Sequence, residues 1–350
     1  MTNKYQEIYQ KIRQGILDGK YSEGSKLPSK RAAADIFGVS VITVEAAYDL
    51  LTCEGFIVSR QRSGYYVCNP VSVIPRIAEE KFRNYPRLDE PTLSAKTDFE
   101  SSVWFKSVRK VMLDYGDLLF ERAPSRGCNV LRNAIAAYLW RYRGMNVNPY
   151  NIIIGSGAES LYENIIKILG TDITYAIEQP SYEQIRLTYS GMGCKLIALP
   201  LGDDGIESDA LSNAECGALH VTPFHSYPSG ISTSAQKRNE YISFAARCNA
   251  YIIEDDFFSE FYTHGRPIKT LYSLDSDRVI YLNTFSKSLS PSMRLGYMIL
   301  PDRLSDVYKE RLEKFSCSVP VMDQYVLAEF INSGNFERHL NRKRRQMTKQ

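Results

Sequence analysis

A lysine sits just beyond an apolar run in the stretch Asn283-Thr284-Phe285-Ser286-Lys287-Ser288-Leu289-Ser290-Pro291-Ser292-Met293-Arg294-Leu295-Gly296. Val279-Ile280-Tyr281-Leu282 before it reads as a buried strand, and Tyr297-Met298-Ile299-Leu300 after it reads as another. An amine at a strand end can condense with an aldehyde, while neighbouring hydroxyls and an arginine hold a phosphate. Pyridoxal 5'-phosphate (PLP), which forms a Schiff base with a lysine, makes that demand on a protein. An ordinary surface lysine in a polar loop accounts for the same residues equally well, so the rest of the chain has to decide.

Four more polar stretches follow apolar runs. Gly155-Ser156-Gly157-Ala158-Glu159-Ser160 leads from a strand into a helix, whose first N–H groups could hold a phosphate; a plain tight turn has the same pattern. Glu178-Gln179-Pro180-Ser181-Tyr182 brings an aromatic to a strand end, where it could stack on a flat ring or simply pack. Thr222-Pro223-Phe224-His225-Ser226-Tyr227-Pro228-Ser229-Gly230 is a turn-rich loop. Glu254-Asp255-Asp256-Phe257-Phe258-Ser259-Glu260-Phe261 sends acids out of a buried strand, which is costly unless they are paired or used. A carboxylate buried there can hold a pyridinium N–H.

The elements that must position these residues are strands over 151–154, 173–177, 195–199, 218–222, 250–254, 279–283 and 296–300, with helices over 159–169, 182–190 and 234–248. Strand–helix alternation predicts an α/β domain with a mostly parallel sheet, and such sheets bind ligands at the carboxyl ends of their strands. All five polar stretches fall at strand ends.

The first 69 residues read differently. Tyr5, Ile8, Ile12, Ile16 and Leu17 recur at helical spacing, and Gly19 can end that helix. Ser29 caps a short helix with Ala33, Ala34, Ile36 and Phe37 inward, stopped by Gly38. Ser40 caps a third helix with Val44, Ala47, Tyr48 and Leu51 inward, ended by Gly55. The strand-like runs Phe56-Ile57-Val58-Ser59 and Tyr65-Tyr66-Val67 flank a basic turn, Arg60-Gln61-Arg62-Ser63-Gly64. This is a helix-turn-helix with a wing. Lys26, Lys30, Arg31, Arg60 and Arg62 are candidates for phosphate contacts and Ser40 to Thr43 for the major groove, with Ser29, Ser63 and Gly64 further candidates for the DNA-binding surface. A small helical interaction domain with a solvated basic face is the competing reading. Residues 70–96 hold Pro70, Pro75, Pro86 and Pro91 among mixed charges, with at most a helical turn over 77–82, and read as a linker to a domain over 97–350.

Composition excludes other classes. At 350 residues, 44% hydrophobic and 24% charged, the chain has room for two domains and a large core. No apolar run approaches a membrane helix and the N-terminus lacks a signal-peptide core, which points to the cytoplasm. Seven scattered cysteines without Cys-x-x-Cys, and four histidines without ligand spacing, argue against a disulfide framework and a metal site. A net charge of +3 is too small to argue for nucleic acid by itself.

Leu27-Pro28-Ser29-Lys30-Arg31, Gly38-Val39-Ser40, Thr43-Val44, Ala47-Tyr48, Leu51, Glu54-Gly55-Phe56 and Ser63-Gly64 resemble the winged helix of the GntR family of bacterial regulators. The five later stretches, in order, resemble the PLP-dependent aminotransferases of fold type I. Together, from about residue 4 to residue 345, the chain resembles the MocR subfamily of GntR regulators. That resemblance implies a homodimer that binds double-stranded operator DNA and senses PLP or a small amino compound, with targets in vitamin B6 synthesis, amino-acid use or transport. It implies Lys287 as the Schiff-base lysine, Asp255 on the ring nitrogen and Tyr182 on the ring face. It implies Ser156, Gly157, Ala158, Thr284 and Arg294 on the phosphate, with Tyr227 where aminotransferases usually have an asparagine. The rival reading is a working aminotransferase with a vestigial DNA-binding domain.

The sequence departs from the family at several points. Val41-Ile42 and Glu45 stand where a base-reading arginine is common, and Phe257 stands where a tyrosine usually donates to the ring hydroxyl. The segment before Trp104 is short, and the sequence stops within a basic stretch, Arg342-Lys343-Arg344-Arg345 to Gln350. The family continues there into a small subdomain that carries a carboxylate-binding arginine. The expectation is therefore of a fragment or an incomplete effector site.

Overall fold

Helix α1 (Lys4–Leu17) buries Ile8, Ile12 and Ile16, one turn apart, against the rest of the N-terminal unit. Ser29 accepts the Ala32 N–H (3.2 Å) and starts α2 (Lys30–Phe37); Ser40 accepts the Thr43 N–H (3.3 Å) and starts α3 (Val41–Cys53). Between them Gly38 adopts left-handed backbone (φ 63°), where a side chain is disfavoured, and the chain reverses there. Val44, Ala47, Tyr48 and Leu51 are all buried, and the Tyr48 hydroxyl donates to Pro28 O at 2.9 Å, tying α3 to the turn before α2. Strands β1 (Ile57–Arg60) and β2 (Gly64–Val67) form the antiparallel wing.

One inward assignment is corrected. Ile36 is 66% exposed, while Ala33 and Ala34 are buried. At 3.6 residues per turn Phe37 falls between those two alanines, whereas Ile36 points roughly 110° away. The computed structural model describes residues 4–60, 63–68, 99, 101–261 and 269–347. The linker over 70–96, the turn expected over 77–82 and Arg62 lie outside the described residues.

The chain divides into two units, 1–94 and 95–350. In the larger one, α4 (Ser101–Tyr115) and α5 (Asn129–Arg143) precede β3 (Ile152–Gly155), α6 (Ala158–Leu169), β4 (Thr174–Gln179) and α7 (Glu183–Gly191). Then come β5 (Lys195–Gly202), β6 (Gly205–Ile206), α8 (Ser208–Asn213), β7 (Ala218–Val221), α9 (Ala235–Cys248) and β8 (Tyr251–Asp255). The remaining elements are α10 (Leu271–Leu274), β9 (Val279–Thr284), α11 (Phe285–Ser288), β10 (Gly296–Ile299), α12 (Asp302–Leu312), α13 (Val321–Asn332) and α14 (Asn335–Met347).

Among the described residues the sheet order is β3-β10-β9-β8-β7-β4-β5-β6. Strands β9, β8, β7, β4 and β5 run parallel, and β10 lies antiparallel between β9 and β3. The sheet is mostly parallel and covered on both faces, which is why its strands read as unbroken apolar runs. Ile152, Ile154, Ile252, Val279 and Tyr281 pack on the face that includes α5, α9 and α13. Ile153, Ile253, Ile280 and Leu282 pack on the face of α6, α7 and α12.

Candidate functional site

Strand register gathers residues far apart in sequence. Gly296, at the start of β10, pairs with Gly155 at the end of β3 and with Thr284 at the end of β9. Asp255, at the end of β8, pairs with Leu282 of β9. The glycine turn, the Thr284–Lys287 stretch, Arg294 and Asp255 therefore meet at one end of the sheet.

A cavity of about 290 Å³ lies there, lined by Ala158, Tyr182, Tyr227, Asp255, Thr284, Lys287 and Arg294 from the expected set. This is close to the lower end of the range for small-molecule pockets. Glu159, Tyr162, Ile185, Thr222, Phe257 and Ser286 complete the lining. Ser156 is not part of it: its hydroxyl meets that of Ser318 at 3.0 Å and lines a neighbouring cavity. Gly157 (φ 99°) presents bare backbone to Arg294, and a Cβ there would come 3.0 Å from the guanidinium. Arg294 Nη2 itself donates to the Glu159 carboxylate.

The acids leaving β8 divide by strand alternation. Glu254 accepts the N–H groups of Leu271 (2.8 Å) and Tyr272 (2.9 Å), and burial pushes its carboxyl up to about 7. Asp256, fully buried, takes Arg143 Nη2 at 2.8 Å, the Tyr281 hydroxyl at 2.7 Å and the Ser259 hydroxyl at 2.6 Å. Asp255 turns the other way. Its Oδ2 accepts the Tyr162 hydroxyl, and its Oδ1 is buried and has no hydrogen-bond partner among the described residues. Burial, then the charge of Asp255, keeps the Tyr162 phenol protonated far above its usual range, so it serves as a donor. His220 Nε2 lies 3.8 Å from Asp255 Oδ2, while its Nδ1 and the Tyr189 hydroxyl are 3.0 Å apart.

The amine of Lys287 lies 4.4 Å from the Phe258 ring centroid and 5.6 Å from that of Phe257. Partial burial lowers its pKa below the usual lysine value, which raises the share of neutral, nucleophilic amine. Tyr182 and Tyr227 meet edge to face with centroids 6.2 Å apart. The Tyr227 loop is held from below by Glu178, which accepts Thr222 N–H (3.1 Å) and the Ser226 hydroxyl (2.7 Å).

These groups suit PLP on the structure's own terms. An unpartnered buried carboxylate oxygen needs a donor, an amine lies on the same cavity, and a glycine turn at a helix start faces an arginine. Sequence reasoning missed Tyr162 and Glu159. Tyr162 lies four residues after Ala158, on the same helix face, and that spacing was the available signal.

In the winged helix, Ser29 and Ser40 are spent on caps, and the Ser40 and Thr43 hydroxyls lie 2.8 Å apart. Lys30 is engaged by Glu45 at 2.5 Å, and Arg60 lies 4.6 Å from the Tyr66 ring centroid. The Ser63 hydroxyl meets that of Tyr66 at 2.6 Å, and the Lys26 side chain covers Gly64. Lys26, Arg31 and Arg60 are exposed.

Residues 4–67 match the family of bacterial regulatory proteins, gntR family, and residues 95–350 match aminotransferase class I and II. The uncharacterized HTH-type transcriptional regulator YdeL of Bacillus subtilis is 33% identical over 97% of this chain and 76% of its own length. The probable rhizopine catabolism regulatory protein MocR of Rhizobium meliloti is 29% identical over 97% of this chain and 74% of its own. The pyridoxine biosynthesis transcriptional regulator PdxR of Corynebacterium glutamicum is 29% identical over 97% and 75%. Among solved structures, an archaeal alanine:glyoxylate aminotransferase superposes with TM-score 0.63 at 24% identity over 69% of this chain and 62% of its own, which speaks to the fold alone. This chain thus spans about three quarters of those regulators and under two thirds of that enzyme.

Proposed function

This chain belongs to the MocR branch of the GntR family, a winged helix joined to an aminotransferase class I and II domain, and from that premise we propose that its large domain holds PLP at Lys287 and reports PLP, or an amino compound that reacts with it, to the DNA-binding unit. The observation that carries this reading is Asp255 Oδ1, buried without a partner on the cavity that Lys287 lines. When bound, PLP would supply an aldehyde open to exchange between amines. Asp255 would accept from the ring nitrogen, Tyr182 would lie on the ring face and Tyr227 would meet the ring hydroxyl. Thr284, Arg294 and the turn at Ser156, Gly157 and Ala158 would hold the phosphate, the last through backbone N–H groups rather than the Ser156 hydroxyl.

Two features favour a sensor over a turnover site. Arg294 already pairs with Glu159, so a phosphate has to displace a carboxylate. Phe257 lines the cavity without a phenol to offer the ring. Both weaken retention and make occupancy follow concentration. The regulator would act in the cytoplasm as a homodimer, presenting two readers to a repeated operator.

Operator binding by the full chain, with and without PLP and a panel of amines, tests the coupling. The affinity is expected to change with PLP in the parent protein and not in Lys287→Ala; an equal response in both would refute a sensor at this lysine. For the reader, Arg31→Ala should weaken duplex binding and lower the slope of log affinity against log salt by about one. An unaltered slope would remove Arg31 from the phosphate contacts.

A further inference from the structure

The first turn of α3 is apolar on its outer side. Ile42 is 77% exposed and Val41 is 40% exposed, and neither belongs to the core formed by Val44, Ala47, Tyr48 and Leu51. The polar groups of this turn are already engaged. Ser40 accepts the Thr43 N–H, the Ser40 and Thr43 hydroxyls meet each other, and Glu45 takes Lys30. From residue 40 to residue 45 there is no arginine, lysine, asparagine or glutamine to bond a purine edge. The same unit exposes Lys26, Arg31 and Arg60. A methyl-rich helix start in a unit with exposed cations suits a duplex, with phosphates for the cations and a major groove carrying thymine C5-methyl groups for the apolar turn.

We infer that Ile42, with Val41, selects operator bases by packing on thymine methyl groups, so that each half-site carries thymine opposite the start of α3. This rests on residues 4–67 binding DNA, and it adds how bases are chosen without the usual arginine. Ile42 is 77% exposed and lies outside that core, so Ile42→Ala leaves the fold in place.

The test uses the full chain and duplexes it enriches from a random pool. Each thymine is replaced in turn by deoxyuridine, which keeps every hydrogen-bonding group and lacks only the methyl. At one or two positions per half-site the parent should bind about fourfold more weakly, the effect of one buried methyl-sized group. Ile42→Ala should bind the unmodified operator more weakly by a similar factor and be indifferent to deoxyuridine there, with its salt slope unchanged. The inference is overturned if the parent tolerates deoxyuridine at every position, or if Ile42→Ala keeps the full discrimination, while salt-dependent binding persists. Failure to enrich any duplex, with no salt-dependent binding, would instead remove the DNA-binding reading beneath it.

Discussion

Asp255→Asn should weaken PLP binding by about 30-fold or more without destabilising the empty protein. Truncating or neutralising one side of a buried, charge-assisted hydrogen bond costs roughly 2–5 kcal/mol, and the lower figure already corresponds to that factor. The amide can still accept the Tyr162 hydroxyl, so the packing beneath the site survives. It then offers the ring nitrogen either an N–H or an uncharged oxygen. In the empty protein the change removes a buried charge whose Oδ1 has no partner, so thermal stability should hold or rise. A purely structural aspartate would give the opposite signs: lower stability and unchanged PLP affinity. Equilibrium dialysis with PLP, beside melting of the empty protein, separates the two.

Arg143→Ala should destabilise the large domain by about 3–5 kcal/mol, the usual cost of stranding a buried charge. The Arg143 side chain is 6% exposed and its partner Asp256 is 0% exposed, so both charges are held out of water. Asp256 would keep the hydroxyls of Tyr281 and Ser259, which cannot neutralise it. Adding Asp256→Asn to Arg143→Ala should recover part of the loss, because the charge that causes it is gone. Denaturant unfolding followed on the large domain would show this. A single-mutant loss below about 1 kcal/mol would mean that the pair is wet and contributes as a surface pair does.

Much of this was legible in sequence, for identifiable reasons. Strands buried on both faces leave runs such as Val279-Ile280-Tyr281-Leu282, and each of the seven strands expected in the large domain is found within a few residues. Lys287 stands out because it follows such a run among hydroxyls and an arginine, and Glu254 to Asp256 stand out as acids leaving a buried strand; only the family resemblance picks Asp255 from among those acids. What stayed hidden depends on contacts between distant positions. Nothing local pairs Arg294 with Glu159, or Arg143 with Asp256. Tyr162 sits on the apolar face of an amphipathic helix and looks like core, which it is, except that its hydroxyl serves Asp255. Ser156 matched a phosphate motif, yet its side chain lies on the neighbouring cavity. The antiparallel course of β10 is equally unreadable, since an apolar run carries no direction.

The central claim is that Lys287 is the residue that captures PLP. Borohydride reduction of the full chain incubated with PLP makes any lysine linkage permanent, and mass mapping of its peptides then locates it. The expected result is one phosphopyridoxyl group on the peptide containing Lys287, lost in Lys287→Ala and diminished in Asp255→Asn. Label scattered over surface lysines, or label undiminished in Lys287→Ala, would contradict the account.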